Sequence, residues 1–274
     1  MPIRDVLVHL ADDGHFDGRL DTAVAVAEKF DAHLIGLYLQ VSPDLPGYIL
    51  PYFTSEMLRD HREQKEQAER DANSRFDERI RRASIRAEWR HTNGGGASSV
   101  ASQGRYADIV IVGQHDPDAP QNQNGDDLAE EVTMNSCRPV IALPFAGEFK
   151  TLGRRVLVAW NGSREAARAT HDALPFLTQA DKVMVLSVNA PRQEHIPGAD
   201  ISTHLARHGV GVEIHNRVQG DIGVGDAILN AASDYGADLL VIGAYGHSRL
   251  RELVLGGVTR HLLRHMTVPV LMSH

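Results

Sequence analysis

The stretch that decides the fold closes the chain: "DLLVIGAYGHSRLRELVLGGVTRHLLRHMTVPVLMSH", residues 238–274. Its apolar run Leu239–Ile242 is short enough for a buried strand, and the pattern after the glycine pair predicts a helix and then a last strand. Gly243 and Gly246 follow the first strand, and Gly256–Gly257 precedes the helix. Glycine lets main-chain N–H groups approach a ligand closely, and free amides at a helix start favour an anion such as phosphate. Glycines also mark ordinary turns, so spacing alone leaves both interpretations open.

The chain contains an internal repeat. Three pairs of segments match: "RDVLVHLADDG" from Arg4 with "RRVLVAWNGSR" from Arg154, "YADIVIVGQHD" from Tyr106 with "GADLLVIGAYG" from Gly236, and "SCRPVIALP" from Ser136 with "MTVPVLMSH" from Met266. The last two pairs share one offset of 130 residues. We therefore predict two domains, 1–146 and 153–274, joined by the linker "FAGEFKTLG" at residues 145–153.

Each half alternates strand and helix patterns, which predicts a parallel sheet with helices on both faces. In the second half the strands are "RVLVAW", "KVMVLSV", "GVEIHNRV", "DLLVIG" and "VPVLMS", and Ser163 is placed to cap the helix "REAARATHDAL". The first half adds a long segment whose Ala68, Ala72, Phe76 and Ile80 fall on one helix face. We expect this helix to lie on its own domain; a partner-binding helix is the alternative.

The composition is that of a globular protein: 274 residues, 42% hydrophobic and 23% charged, with a formal net charge of -8. This acidic balance disfavours nucleic acid and anionic membranes as partners. No apolar run reaches the ~20 residues of a membrane span, and the N-terminal segment has no signal-peptide pattern. The single cysteine, Cys137, excludes an internal disulfide. We expect a cytoplasmic protein.

Gly243, two residues, Gly246, nine residues and Gly256 resemble the nucleotide-binding signature of the universal stress protein family. The resemblance covers both halves and implies an α/β fold of two tandem doubly wound domains packed as a pseudo-dimer. Each domain would be a five-stranded parallel sheet of order 3-2-1-4-5. It further implies a stress-response regulatory protein that binds ATP or AMP in its second domain. ATP hydrolysis would be slow at most, with no catalytic residue assigned. A nucleotide-free interaction scaffold of the same fold is the alternative.

The resemblance also implies which residues contact the nucleotide. Ile242 would lie near the adenine, the backbone of Val188 would bind the adenine edge, and Thr259 would follow the phosphate loop. The full set is Ala159, Trp160, Asn161, Val188, Ile242, Gly243, Gly246, His247, Gly256, Gly257, Val258 and Thr259.

Two residues depart from the family pattern. Gly257 stands where Ser or Thr normally offers a hydroxyl to the phosphates. Asn161 stands where Asp is usual, and an uncharged amide is a poorer ligand for Mg²⁺. Nucleotide binding is therefore expected, whereas a bound Mg²⁺ is in question.

The first half carries aspartates at the equivalent positions. At the offset of 130 residues, Asp116, Asp126 and Asp127 align with Gly246, Gly256 and Gly257. Carboxylates there would repel phosphates and fill the space they need, so we predict that the first domain has lost its nucleotide site. A cation site built from these three aspartates is the alternative.

His261 and His265 are four residues apart on a predicted helix, as in half of a zinc site. No third ligand accompanies them in a recognised motif, so we interpret them as surface histidines and assign no metal.

The last strands of the two halves, "RPVIALP" and "VPVLMSH", are short and apolar. Exposed apolar edges are usually paired or covered, and fusion keeps the two edges close together. We expect them to pair within the chain through Val140–Leu143 and Val268–Met272. Homodimerisation of whole chains stays open, and no protein partner is identified.

Overall fold

The computed structural model describes residues 2–40, 54–118, 127–189, 198–218, 220, 222–245 and 257–274. Gly246, His247, Gly256 and Asp126 lie outside the described residues. Statements about structure below concern the described ranges.

The first half alternates strands and helices along its whole length. Its elements are β1 (Asp5–Leu10), α1 (Phe16–Phe30), β2 (His33–Gln40), α2 (Ser55–Ala83), β3 (Ala87–Asn93), α3 (Gly96–Gly104), β4 (Ile109–Gly113), α4 (Leu128–Ser136) and β5 (Val140–Leu143).

The second half repeats this order of strands. Its elements are β6 (Arg155–Ala159), α5 (Arg164–Asp172), α6 (Leu174–Leu177), β7 (Lys182–Val188), α7 (Ala199–Arg207), β8 (Val212–Arg217), α8 (Val224–Tyr235), β9 (Leu239–Gly243), α9 (Val258–His265) and β10 (Val270–Ser273). The five predicted strands are confirmed, and Ser163 caps α5 by accepting a hydrogen bond from the Ala166 N–H.

All the strands belong to one sheet of ten strands, in the order β3-β2-β1-β4-β5-β10-β9-β6-β7-β8. Within each half the strands are parallel and follow the predicted order 3-2-1-4-5. The halves meet where β5 and β10 pair in antiparallel register, with Ile141 opposite Leu271. The predicted intrachain pairing is thus confirmed, except that Val268 precedes β10 rather than lying in it.

The register at this junction reveals a pseudo-twofold axis. Ile141 and Leu271 are 130 residues apart, which is the offset of the repeat, so equivalent positions of the two halves face each other. A twofold axis perpendicular to the sheet therefore passes between these two residues. It turns the carboxyl ends of the parallel strands in the two halves toward opposite edges of the sheet.

Helices cover both faces of the sheet, as predicted. Alternate strand residues separate into two cores: Val8 and Val158 belong to the core under α1, α2, α5, α6 and α7, and Leu7 and Leu157 to the core under α3, α4, α8 and α9. Each core continues across the β5–β10 junction, so burial of apolar surface binds the halves on both faces.

The linker between the halves is fastened to α1. The Lys29 ammonium donates to the carbonyl oxygens of Leu152 (2.9 Å) and Gly153 (3.3 Å). Burial lowers the pKa of this lysine below its ordinary value. Gly153 has a φ of +76°, and a Cβ there would lie 2.8 Å from the Phe176 ring, so this position requires glycine.

The long helix α2 lies on its own half, as expected. Phe76 is buried against Gly36 of β2, where a Cβ would lie 2.5 Å from the ring. Arg75 pairs with Asp17 of α1 (2.8 Å), and Arg79 pairs with Asp21.

Two features of the second half were not predicted. Helix α7 was missed because it is short and buries only Ile201 and Leu205, too few apolar positions for a clear period. Strand β8 alternates in sequence, yet both of its faces are largely exposed in the described structure.

None of the helices in the described part of the chain is both long enough and apolar enough to cross a lipid bilayer.

Candidate functional site

The predicted binding residues of the second half gather at the carboxyl ends of β6, β7 and β9. Ala159 lies between Leu186 of β7 and Ile242 of β9 in the sheet register. The Trp160 N–H then donates to the Leu186 carbonyl (2.8 Å), which fixes the chain as it leaves β6. Val188, at the end of β7, is half-buried and pairs with Arg217 of β8. Ligands of doubly wound sheets bind beyond such strand ends, where connections leave toward opposite faces.

The loop between β6 and α5 is ordered by its own side chains. The Asn161 Oδ1 accepts a hydrogen bond from the Ser163 N–H (3.0 Å), and the Ser163 Oγ accepts one from the Ala166 N–H (3.1 Å). Asn161 therefore acts as a turn residue whose amide oxygen is engaged with the backbone.

Gly243 ends β9 where α5 begins. A Cβ at this position would lie 2.3 Å from the Ala166 nitrogen and 2.5 Å from the Glu165 carbonyl carbon. Because these are backbone atoms, they cannot yield as a flexible side chain would. Gly243 is therefore required by helix–strand packing, a reason that sequence spacing alone does not reveal.

The start of α9 is tied to the loop after β9. Gly257 is the N-cap of α9, with φ −48° and ψ 149° and no side-chain cap. The buried Thr259 accepts a hydrogen bond from the Tyr245 N–H at its Oγ1 (3.5 Å), and Tyr245 has a φ of +57°. Val258 is exposed between them. The N-terminus of α9 and the end of β9 are thus held side by side, although Gly246, His247 and Gly256 lie outside the described residues.

His261 and His265 have partners other than a metal. The His261 Nε2 lies 2.8 Å from the Asp226 Oδ1, and the His265 Nδ1 donates to the His261 carbonyl (2.9 Å). Their rings stack with centroids 4.3 Å apart. In the described ranges, no group of three or more His, Cys, Asp or Glu side chains is placed to hold a metal ion.

The equivalent loop of the first half is organised differently. The Asp116 carboxylate binds the His15 Nε2 (2.8 Å) and the Asp118 N–H (3.0 Å). The hydrogen bond from His15 is the main reason that the pKa of Asp116 lies below its ordinary value. Asp127 is the N-cap residue of α4 but makes no side-chain capping bond. Asp116 and Asp127 therefore do not act together.

A continuous α/β sheet of two doubly wound halves, with loops converging at the carboxyl ends of β6, β7 and β9, defines a class of ligand-binding α/β protein. Residues 153–274 match the sequence model of the universal stress protein family. The chain belongs to that family.

Individual relatives agree with this assignment. A universal stress protein from Synechocystis sp. is 28% identical over 173 residues, which cover 60% of this chain and 57% of the relative. The chain thus spans little more than half the length of that relative.

Two solved structures share the fold over nearly the whole chain. A universal stress protein from Archaeoglobus fulgidus has a TM-score of 0.73 at 16% identity, covering 97% of this chain and 95% of the other. A functionally unknown protein from Pseudomonas aeruginosa has a TM-score of 0.59 at 18% identity, covering 99% of this chain and 92% of the other.

Proposed function

We propose that this protein is a cytoplasmic stress-response regulator that binds an adenine nucleotide, ATP or AMP, in the domain formed by residues 153–274. The domain formed by residues 1–146 has lost its own nucleotide site. Hydrolysis of ATP, if it occurs, is slow, because no described side chain is placed as a nucleophile or general base at the strand ends.

One observation carries this proposal: the end of β9 and the N-terminus of α9 are held together by the contact between Thr259 and Tyr245. Main-chain N–H groups of a glycine-containing loop and of a helix start then converge on one place, which suits phosphate. Ala159 and Ile242, side by side in the register, supply an apolar surface for the adenine at the same edge. The glycine spacing in the sequence supports the same site.

The departures at Asn161 and Gly257 favour nucleotide without strong metal dependence. The Asn161 oxygen already accepts the Ser163 N–H and carries no charge, so it is a weak ligand for Mg²⁺. The N-terminus of α9 still offers its free amides, and only the hydroxyl of the usual Ser or Thr is missing.

We expect that Gly246→Asp abolishes nucleotide binding. The variant copies the residue of the first half, Asp116, into the equivalent position and places a negative charge and a side chain beside the phosphates. Calorimetric titration of the unmodified protein with ATP and with AMP should show one site per chain, and the variant should show none. Gly211→Asp is the matched control, because it adds the same side chain at an open position before β8, at the amino end of the sheet. Two equal sites per chain, or full binding by Gly246→Asp, would contradict the proposal.

We also expect that Gly257→Ser combined with Asn161→Asp strengthens Mg-ATP binding by about tenfold and AMP binding much less. The added hydroxyl and carboxylate act at the phosphates and the metal, and AMP offers few of these groups. The φ and ψ angles of Gly257 are those of an ordinary N-cap, so serine fits without strain. Equal gains for the two ligands would show that these residues do not lie at the phosphates, and unfolding of both proteins without ligand controls for the better helix cap.

The alternative function is an interaction scaffold that binds no nucleotide. Thermal unfolding with and without 1 mM-range nucleotide separates the two, because only a binder gains stability from the ligand (about 2.7 kcal/mol at one hundred times Kd).

A further inference from the structure

A cavity of about 270 Å³ lies between the two halves, at the opposite edge of the sheet from the proposed nucleotide site. The first half contributes the ends of β1 and β4 and the first turn of α4. The second half contributes Arg260, Leu263 and Arg264 of α9. Because both halves line it, this cavity exists only in the paired arrangement.

The wall from the second half is fixed in place by the first. The Gln114 side chain donates to the carbonyl oxygens of Leu263 (2.8 Å) and Arg264 (3.1 Å) at the end of α9. Its own Oε1 accepts a hydrogen bond from the Phe145 N–H (3.1 Å). Arg260 pairs with Glu130 of α4 (3.3 Å). The cavity is therefore preorganised rather than a gap between loosely packed domains.

Two buried polar side chains line the cavity without satisfying all their hydrogen bonds. His9 is 1% exposed, and in the described structure neither ring nitrogen has a partner. Arg19 is 5% exposed; its guanidinium binds the Asp13 carboxylate (2.9 Å), while its Nε has no partner among the described residues. Leaving such groups unpaired costs about 1–3 kcal/mol each, so a native structure that retains them usually has a use for them.

This polar set is particular to the first half. The position of His9 is occupied by Ala159 in the second half, within the matching segments "RDVLVHL" and "RRVLVAW". Burial, together with the positive charge of Arg19, lowers the pKa of His9 to about 3, so its imidazole is neutral and offers one donor and one acceptor.

The charges around the cavity favour an anion. The carboxylates of Asp13 and Glu130 are each paired with an arginine, Arg19 and Arg260 respectively. Arg264 adds a further positive charge. The first turn of α4 also lines the cavity, and helix starts present free amides and a partial positive charge.

The remaining wall is apolar, formed by Leu128, Ala129 and Leu263 among others. An apolar cavity of about 150 Å³ accepts one benzene molecule, so the present volume has room for such a body and one charged group. We propose that the cavity is a second ligand site, which binds a small organic acid with an apolar body and one carboxylate. The site is separate from the nucleotide site and does not depend on it.

The test is calorimetric titration of the full chain with benzoate as the probe, compared with benzyl alcohol, which has the same ring but no charge. We expect one benzoate site per chain with a Kd of about 1 mM, and binding of benzyl alcohol at least tenfold weaker. Ala129→Met fills the cavity and should abolish benzoate binding. Ala167→Met, on the exposed face of α5, is the matched control and should leave it unchanged.

Three results would overturn the proposal: no benzoate binding at 10-fold the expected Kd, equal binding of benzyl alcohol, or undiminished binding by Ala129→Met. Displacement of benzoate by AMP would also overturn it, because the two sites would then be one. A protein that binds benzoate but no nucleotide would refute the proposed function while supporting this site.

Discussion

Replacing Ile141 and Leu271 together by lysine is expected to destroy the folded state of the continuous sheet. The two side chains face each other at the centre of the β5–β10 pair, and both are fully buried. Two ammonium groups there would lose their hydration and repel each other, so we expect a loss of at least about 5 kcal/mol of unfolding free energy. That is comparable to the whole stability of many domains. Circular dichroism and urea unfolding would record the loss of structure, and sedimentation would record any separation of the halves.

The control is the exchange Ile141→Leu with Leu271→Ile, which keeps the total volume and the apolar character of the pair. This variant should unfold within about 1.5 kcal/mol of the unmodified protein. A double lysine variant with nearly unchanged unfolding would contradict the intrachain junction, since buried charges are tolerated only when the strands are free to leave the core.

A second pair of equivalent positions explains why the halves pair with each other rather than with copies of themselves. Glu130 and Arg260 are 130 residues apart, the offset of the repeat, and they form an ion pair beside the pseudo-twofold axis. Two identical first halves joined in the same way would place Glu130 against Glu130, and two second halves would place Arg260 against Arg260. Like charges in contact disfavour both, whereas the pair across one chain is attractive. The ion pair is partly exposed, so it contributes more to the choice of partner than to stability.

The fold followed from the sequence because the repeat and the strand patterns agree with each other at every level. The offset between "SCRPVIALP" and "MTVPVLMSH" even anticipates which strands meet. What the sequence did not show depends on contacts between distant residues. Gly243 is required by the approach of α5, the cap that Gln114 makes on α9 joins opposite halves, and the unpaired His9 is hidden in a strand pattern that differs from its repeat only by one residue.

The aspartates of the first half show the same limit. Their alignment with the signature glycines predicts the loss of a phosphate site, and that remains a prediction. Sequence alone did not indicate that Asp116 turns toward His15, nor that Asp127 lines a cavity shared with α9. Both arrangements depend on elements far apart in the chain.

His9 is expected to make the protein unusually sensitive to acid. Burial is the main cause that lowers the pKa of this histidine from 6.5 to about 3, and the charge of Arg19 adds to it. Between these two pH values the unfolded chain binds a proton at this residue that the folded chain does not. Stability is therefore unaffected by His9 above pH 6.5 and falls as the pH decreases, by about 1.4 kcal/mol per pH unit, until the folded pKa is reached.

The measurement is urea unfolding at pH 7.5 and pH 4.5, without added ligand, for the unmodified protein and for His9→Met. Removing the imidazole should reduce the loss of stability between these two pH values by about 3 kcal/mol. Leu10→Met, a buried neighbour in the same strand, keeps His9 and should retain the full acid sensitivity of the unmodified protein. If His9→Met and the unmodified protein lose the same stability on acidification, the imidazole is reached by solvent or paired in solution. The cavity beside it would then lack the unpaired donor and acceptor on which its proposed ligand depends.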